Sequence, residues 1–310
     1  MRNVALQVKK EGRGKLRSRG QGALHLMLLP SVLLLLIFSY APMLGLVMAF
    51  QNFVPAKGFF GSDWVAWANF EYVFNLPGLW SAIGNTLVIS LSKIILGQVL
   101  AILLALMLNE MRKNAFTKSI QTVIYLPHFL SWVIVGGIFL DVLSYDGVVN
   151  QILQALGKEP IYFMGNASIF PAVVVGTHLW KEVGFATIIY LAALTNVDPG
   201  LYESAAMDGA SRFRRIWHIS LPAILPIIIL VSVLNIGTVL DGGFEQILIM
   251  YNPMVYSTGD IIDTYIYRIG IEQTQYSIAA AVGIAKSAVS LLLVSSSYYA
   301  AHRFAGYRIF

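Results

Sequence analysis

The sequence predicts an all-α polytopic membrane protein with six transmembrane helices and both termini in the cytoplasm. Three observations carry that expectation. Of the 310 residues, 57% are hydrophobic and only 12% charged, against roughly 25% charged in an ordinary soluble domain. Six stretches reach the ~20 mainly apolar residues that a bilayer core requires. Lys and Arg crowd alternate connections between those stretches and avoid the others.

The six stretches are Ala23–Phe50, Ala82–Leu108, Ile120–Leu143, Ile169–Leu194, Pro222–Val239 and Ile278–Ala301. The first follows a basic tail, but its apolar run is too long for a signal-peptide core and no small-residue cleavage site follows, so it reads as a retained helix. Pro30 and Pro42 predict kinks within it that neighbouring helices must support. The fifth stretch could continue toward Ile249 through Asp241 and Glu245, although Gly242-Gly243 argues for a break. Residues 1–22 form a basic cytoplasmic tail, 23–301 one membrane domain with a cytoplasmic connection at 195–221, and 302–310 a C-terminal tail.

Orientation follows from the cations. Arg2, Lys9, Lys10, Arg13, Lys15, Arg17 and Arg19 precede the first stretch. Arg112, Lys113 and Lys118 lie between the second and third, Arg212, Arg214 and Arg215 between the fourth and fifth, and Arg303 and Arg308 at the end. The opposite side holds only Lys57, Lys158 and Arg268. The positive-inside rule places the crowded side in the cytoplasm. The formal charge of +5 is thereby a topology signal, with the lipid bilayer and not nucleic acid as the partner. There are no cysteines, which removes disulfides and thiol chemistry. His25, His128, His178, His218 and His302 show no metal-ligand spacing. Neither a G-x-x-x-x-G-K-[ST] phosphate loop nor a G-x-S-x-G nucleophile elbow is present, so the chain is not expected to be an enzyme by itself.

The connection at 195–221 is the most informative segment. Asp198 suits an N-cap and Pro199 the first helical position. Tyr202, Glu203, Ala205 and Ala206 favour a short helix, and Gly209 can end it in a left-handed conformation. Ser211 can cap a second short helix carrying Phe213, Ile216 and Trp217, before Pro222 opens the fifth span. Physics alone leaves open an amphipathic connector resting on lipid headgroups.

The pattern Glu203-x-Ala205-Ala206-x-Asp208-Gly209-Ala210, followed by Ile219-x-Leu221-Pro222, resembles the signature loop of binding-protein-dependent permeases of ATP-binding-cassette importers. That family pattern begins Glu-Ala-Ala; Ser204 here replaces the first alanine, small for small. Asn85-Thr86 opening the second span and Tyr125-Leu126-Pro127 in the third resemble the family's usual starts there, while Trp180-Lys181-Glu182-Val183-Gly184-Phe185, Gly243-Phe244-Glu245-Gln246-Ile247 and Asp263-Thr264-Tyr265 resemble the maltose-type sugar branch, especially permeases for oligosaccharides and polysaccharide fragments. The resemblance implies a maltose-permease-like core in a bacterial cytoplasmic (inner) membrane. It implies a second permease, expected to be a different chain, two ATPase subunits and an extracytoplasmic sugar-binding protein. ATP and Mg would be used by those partner ATPases, and this chain would bind no cofactor. The loop would be a coupling helix docking into the ATPase, with Glu203, Ala205, Ala206, Asp208 and Gly209 as its contact set.

Charges inside the spans add candidates for the substrate pathway: Lys93, Lys181, Glu182 and Lys286. A charge at the bilayer centre costs about 2.5–3.5 kcal/mol on insertion scales, so such residues face a bundle interior or a wet cavity. They either pair for structure or attract an acidic sugar, and three lysines against one glutamate leave a positive excess. Asn235, Thr238 and Asp241, on and after the fifth span, complete the pathway set; Trp180 or Tyr190 could stack on a sugar ring. An ion-coupled secondary transporter is the rival expectation, but no paired repeat of broken helices supports it.

Overall fold

The computed structural model describes residues 19–111 and 115–305. Arg2, Lys9, Lys10, Arg13, Lys15 and Arg17 of the basic tail, Arg112, Lys113 and Arg308 lie outside the described residues. Among the described residues, five helices are long and apolar enough to cross a membrane, and one bent pair supplies a sixth span if counted as one.

The first span, α1, has its apolar part at His25–Phe50, and its helix begins earlier, at Arg19. Every side chain from His25 to Leu44 is exposed, a surface suited to lipid rather than water. Pro42 lacks an N–H to donate, and the turn preceding it widens to a π-helix at Leu36–Tyr40.

From Met48 onward the chain forms the main compact unit. A two-residue hairpin interrupts the otherwise helical chain: β1 (Gln51–Asn52) pairs antiparallel with β2 (Asp63–Trp64), with Gln51 opposite Trp64. Helix α2 (Ala68–Phe74) follows, and Asn69 donates to the carbonyls of Ala49 (2.9 Å) and Gln51 (3.0 Å). The second span is α3 (Leu79–Glu110).

The third span is not the single rod expected over Ile120–Leu143. It consists of α4 (Ala115–Phe129) and α5 (Trp132–Val142), bent by 100°. Pro127 tightens the end of α4 into a 3-10 turn, Leu130 is extended, and Ser131 caps α5 by accepting the Ile134 N–H. After the short outward helix α6 (Val148–Ala155) comes the fourth span, α7 (Phe170–Thr195). The cytoplasmic connection contains α8 (Pro199–Met207). The fifth span, α9 (Arg212–Ile236), starts well before the expected Pro222, because the second short helix of the connection runs into it through a π-turn at Ile216–Ser220. It also stops at Ile236 and does not reach Asp241. The chain restarts at Gly243, with φ +88°, as α10 (Phe244–Met250). Helices α11 (Ile262–Tyr267) and α12 (Tyr276–Ala305), the last span, complete the fold.

Three apolar clusters hold this unit together. Leu79, Ala82, Tyr265 and Val282 lie in one, Ile89, Phe170, Ile247 and Ile261 in the next, and Ala101, Tyr190, Leu194 and Ile224 in the third. Helix α3 contributes to all three and α7 to the last two, and the two helices pack against each other. Asn85 and Thr86 fasten α3 to the last outward segment: Asn85 donates to the carbonyls of Ser257 and Asp260, and Thr86 Oγ1 accepts the Ile262 N–H at 2.9 Å. At Gly184 a Cβ would collide with the Ile124 carbonyl oxygen and lie 2.6 Å from its Cγ2. Helix α4, just before the bend, can therefore lie against α7 only over a residue without a side chain.

Gly184→Val is expected to destabilise the protein by about 1–3 kcal/mol through this overpacking, read as a lowered midpoint in thermal unfolding of the purified membrane complex. Gly176→Ala on the same helix, where nothing lies within 4 Å of an added Cβ, should leave the midpoint in place.

Candidate functional site: a polar cavity and a capped connecting helix

A cavity of about 630 Å³ opens among α3, α7, α9 and the break that follows α9. Lys93, His178, Glu182, Asn235, Thr238 and Asp241 contribute its polar lining. Of the residues expected in a pathway, Lys181 and Lys286 do not line it. Tyr190 borders it but is almost wholly buried. Trp180 instead faces Phe139, edge-on at 5.4 Å, beside a separate apolar cavity.

Each intramembrane lysine has partners. Lys93, buried, donates to the Gly242 carbonyl at 2.8 Å and to Gln246 Oε1 at 2.6 Å. Gln246 in turn donates to the Val174 carbonyl (2.7 Å) and Thr177 Oγ1 (2.8 Å). Lys181 donates to Glu182 Oε1 (2.7 Å) and the His128 carbonyl (2.9 Å), while Glu182 Oε2 lies 2.7 Å from His128 Nδ1. The His128 ring stacks on Phe185 at 3.9 Å. Lys286 bridges Asp241 Oδ1 (2.8 Å) and Asp263 Oδ1 (2.6 Å).

This pairing corrects the simple charge count. Asp263 lies outside the apolar stretches, yet the fold brings it to Lys286. Asp241, expected near water, is exposed but ion-paired, and Glu245 does not stack one turn beyond it on a continuing helix. Lys93 is the lysine whose hydrogen-bond partners include no carboxylate. Gln246, which holds it, and Thr177, which holds Gln246, are not pathway candidates in the sequence, although Gln246 lies in the Gly243–Ile247 run that carries the family resemblance. An amide followed by an apolar run carries no signal of its own until the partner lysine is known.

The outward segment after the break contains a second charged node. Asp260 accepts from Arg268 and from Thr264 Oγ1 (2.7 Å), and the Arg268 guanidinium sits 4.3 Å over the Tyr256 ring. Burial pulls the Arg268 pKa down, but the hydrogen bond and charge of Asp260 outweigh it and hold the guanidinium above its ordinary value. Burial, with Tyr256 and Asp260 adding to it, pushes the Tyr251 phenol up.

On the cytoplasmic side, Asp198 caps α8 by accepting the Gly200 N–H at 2.9 Å, with Pro199 at its first position. Gly209 ends it with φ +74°. The Ala210 N–H reaches back to the Ala205 carbonyl (2.9 Å) and the Gly209 N–H to Ala206 (3.1 Å), the paired bonds of a Schellman stop. Nothing lies within 4 Å of a Cβ added at Gly209, so the backbone, not space, demands glycine there. Tyr202 Oη lies 3.0 Å from Ser220 Oγ and ties α8 to α9. Glu203, Ala206, Asp208 and Gly209 are exposed, and Ala205 is half-buried. Glu203 forms no ion pair among the described residues. Leu201 and Met207, half and nearly fully exposed, add an apolar component that the signature pattern does not specify.

A chain of apolar spans around a polar cavity, with a rigidly capped helix on one face, has the build of a membrane permease. Residues 97–306 match the family described as binding-protein-dependent transport system inner membrane component, and the chain belongs to that family. It is 43% identical to protein LplB of Bacillus subtilis (strain 168) over 91% of this chain and 89% of the relative. It is 42% identical to the polygalacturonan/rhamnogalacturonan transport system permease protein YteP of the same organism, over 97% of this chain and 94% of that one. A crystal structure of a bacterial ABC transporter involved in the import of the acidic polysaccharide alginate contains a chain of the same fold. The TM-score is 0.84 at 40% identity, covering 92% of this chain and 96% of the other. A chain of a bacterial alginate ABC transporter in complex with an alginate pentasaccharide-bound periplasmic protein superposes with a TM-score of 0.83 at 40% identity, covering 92% of this chain and 95% of the other. The protein is thus a multi-pass inner-membrane permease of a sugar importer that works with a binding protein.

Asp260→Asn would leave the half-buried Arg268 without its buried counter-ion. The expected loss is about 3–5 kcal/mol, measured by chemical unfolding of the complex in detergent, with Asp260→Asn/Arg268→Met recovering part of it.

Proposed function

We propose that this chain forms one half of the translocation pathway for an acidic oligosaccharide, with a second, different permease, two ATPase subunits and an extracytoplasmic binding protein. The observation that carries the substrate class is Lys93, a cation on the wall of the 630 Å³ cavity with carbonyl and amide partners but no carboxylate. A uronate could supply the missing anion at little cost, since a buried cation gains most from a charged partner. Relatives that handle polygalacturonan/rhamnogalacturonan and alginate point the same way. Asn235 and Thr238 would meet sugar hydroxyls, and Glu182 would hold Lys181 and His128 in place. Lys286 acts on Asp241 rather than on the cavity wall directly.

Helix α8 would be the coupling element. Glu203, Ala206 and Gly209 present a charge, a small side chain and a fixed turn to an ATPase groove, while Leu201 and Met207 supply apolar contact. Ala205 and Asp208 shape the stop. ATP and Mg belong to the partner subunits, because this chain has no phosphate-binding loop.

Uptake into proteoliposomes carrying the whole importer tests the substrate class. Lys93→Gln should lower uptake of an oligogalacturonate by about tenfold or more and affect its carboxyl-reduced, neutral counterpart far less. Equal losses for both would remove the acidic reading. For the coupling role, Glu203→Ala and Gly209→Asp should each abolish most sugar-stimulated ATP hydrolysis while the isolated ATPase subunits stay active. Stimulation that survives both changes would make α8 a plain surface connector.

A further inference from the structure

The break between α9 and α10 is held by ammonium groups from two different spans. Lys93 of α3 grips the Gly242 carbonyl at 2.8 Å, and Lys286 of α12 grips the neighbouring Asp241 carboxylate at 2.8 Å. The gripped segment has no helical ladder of its own across Asp241–Gly243, and Gly243 stands in the left-handed region. Asp241 also occupies a distinctive place between cavities. Among the described residues it is the one common to the 630 Å³ cavity and to a second cavity of about 570 Å³, which Lys286, Asp263 and Tyr267 help to line.

Lys286 holds two carboxylates of unequal burial. The Asp263 side chain is 22% exposed and belongs to α11, whereas Asp241 is 66% exposed and sits on the break. A third carboxylate arriving in the second cavity would displace Asp241, the more exposed partner and the one seated outside a helix, and leave the Asp263 bond intact. That exchange swaps one anion for another on the same cation, so no buried charge is stranded. A neutral sugar offers only hydroxyls and would have to break the ion pair without replacing it.

We propose that Asp241 and Lys286 form a charge latch on the break after the fifth span, opened by the carboxylate of an acidic sugar, and that this exchange contributes to selecting acidic over neutral substrates. The proposal rests on the acidic-oligosaccharide reading above for its ligand, but not for the latch itself. With Asp241 on Lys286 and Gly242 on Lys93, residues 241–243 are fixed to both α3 and α12. With Asp241 released, the tie to α12 is lost, and the segment keeps the Lys93 bond and the backbone bonds from Asp241 to Thr238 and from Ile247 to Gly243. Substrate binding and movement of the segment are coupled because the latched state alone contains the Asp241–Lys286 pair.

The test uses the whole importer in liposomes with its binding protein. Asp241→Asn should raise hydrolysis in the absence of sugar by at least about fivefold, and should shrink the wild-type ratio of oligogalacturonate to carboxyl-reduced sugar in stimulated hydrolysis by a similar factor. The chain has no cysteines, so Asp241→Cys with Lys286→Cys introduces the subunit's sole thiol pair. Bridged by a short bis-thiosulfonate, the complex should lose stimulated hydrolysis and uptake, and reduction should restore both. A bridged complex that transports at the wild-type rate overturns the latch. So does an Asp241→Asn complex with unchanged sugar-free hydrolysis and an unchanged acid-to-neutral ratio. A wild-type importer indifferent to the carboxylate removes the acidic reading and the selecting role, while the reducible bridge still decides whether the pair must part.

Discussion

The hydrogen bonds of one buried lysine organise the centre of this protein. Lys93 donates to Gly242 and Gln246, and Gln246 carries the connection on to Val174 and Thr177. Span two, span four and the segment after span five meet at that point. In hydrocarbon, a backbone that leaves the helix must find its partners within the protein. The ammonium of Lys93 meets that requirement for the broken segment, and in doing so its own charge is solvated by dipoles. The irregular backbone beside the cavity and the charge beside it are therefore two sides of one solution.

The same reasoning separates the charged groups by task. The Lys181–Glu182–His128 cluster joins α7 to the end of α4 and belongs to the support of the bend. The Asp260–Arg268 pair belongs to the outward segment, where two tyrosine rings flank the guanidinium. Lys286 lies between, touching one carboxylate on a rigid helix and one on a break. Counting charges along the chain gives all of them the same weight, whereas their partners distinguish scaffold from moving part.

Much of the architecture could be read in the sequence because it is written in local terms. Apolar runs place the spans, cations place the sides, and Asp198-Pro199 with Gly209 delimits α8 by capping chemistry that involves only neighbouring residues. The bend at Pro127 was less legible. Proline within an apolar run signals a kink, but the 100° turn also depends on Ser131 capping a new helix and on Gly184 receiving the turn from another span. The cavity was legible only in part. Lys93, Glu182, Asn235 and Thr238 stand out as polar groups in apolar surroundings, but Gln246, Thr177 and Asp263 become informative only through partners more than twenty residues away. The start of α9 shows the opposite effect: a connection expected as a separate short helix merges with the span because a π-turn lets the helix continue past His218.

The bent pair has a consequence for how the protein is made. Helix α5 has 11 residues, which at 1.5 Å each reach about 16 Å, roughly half the hydrocarbon thickness. Neither the bend nor the polar groups around His128 can be settled when this stretch leaves the ribosome, because Lys181, Glu182 and the bare surface of Gly184 have yet to be synthesised. The third span therefore takes its packing surface and its polar partners from the fourth, so a change at Gly184 or Glu182 acts on the third span as much as on its own helix.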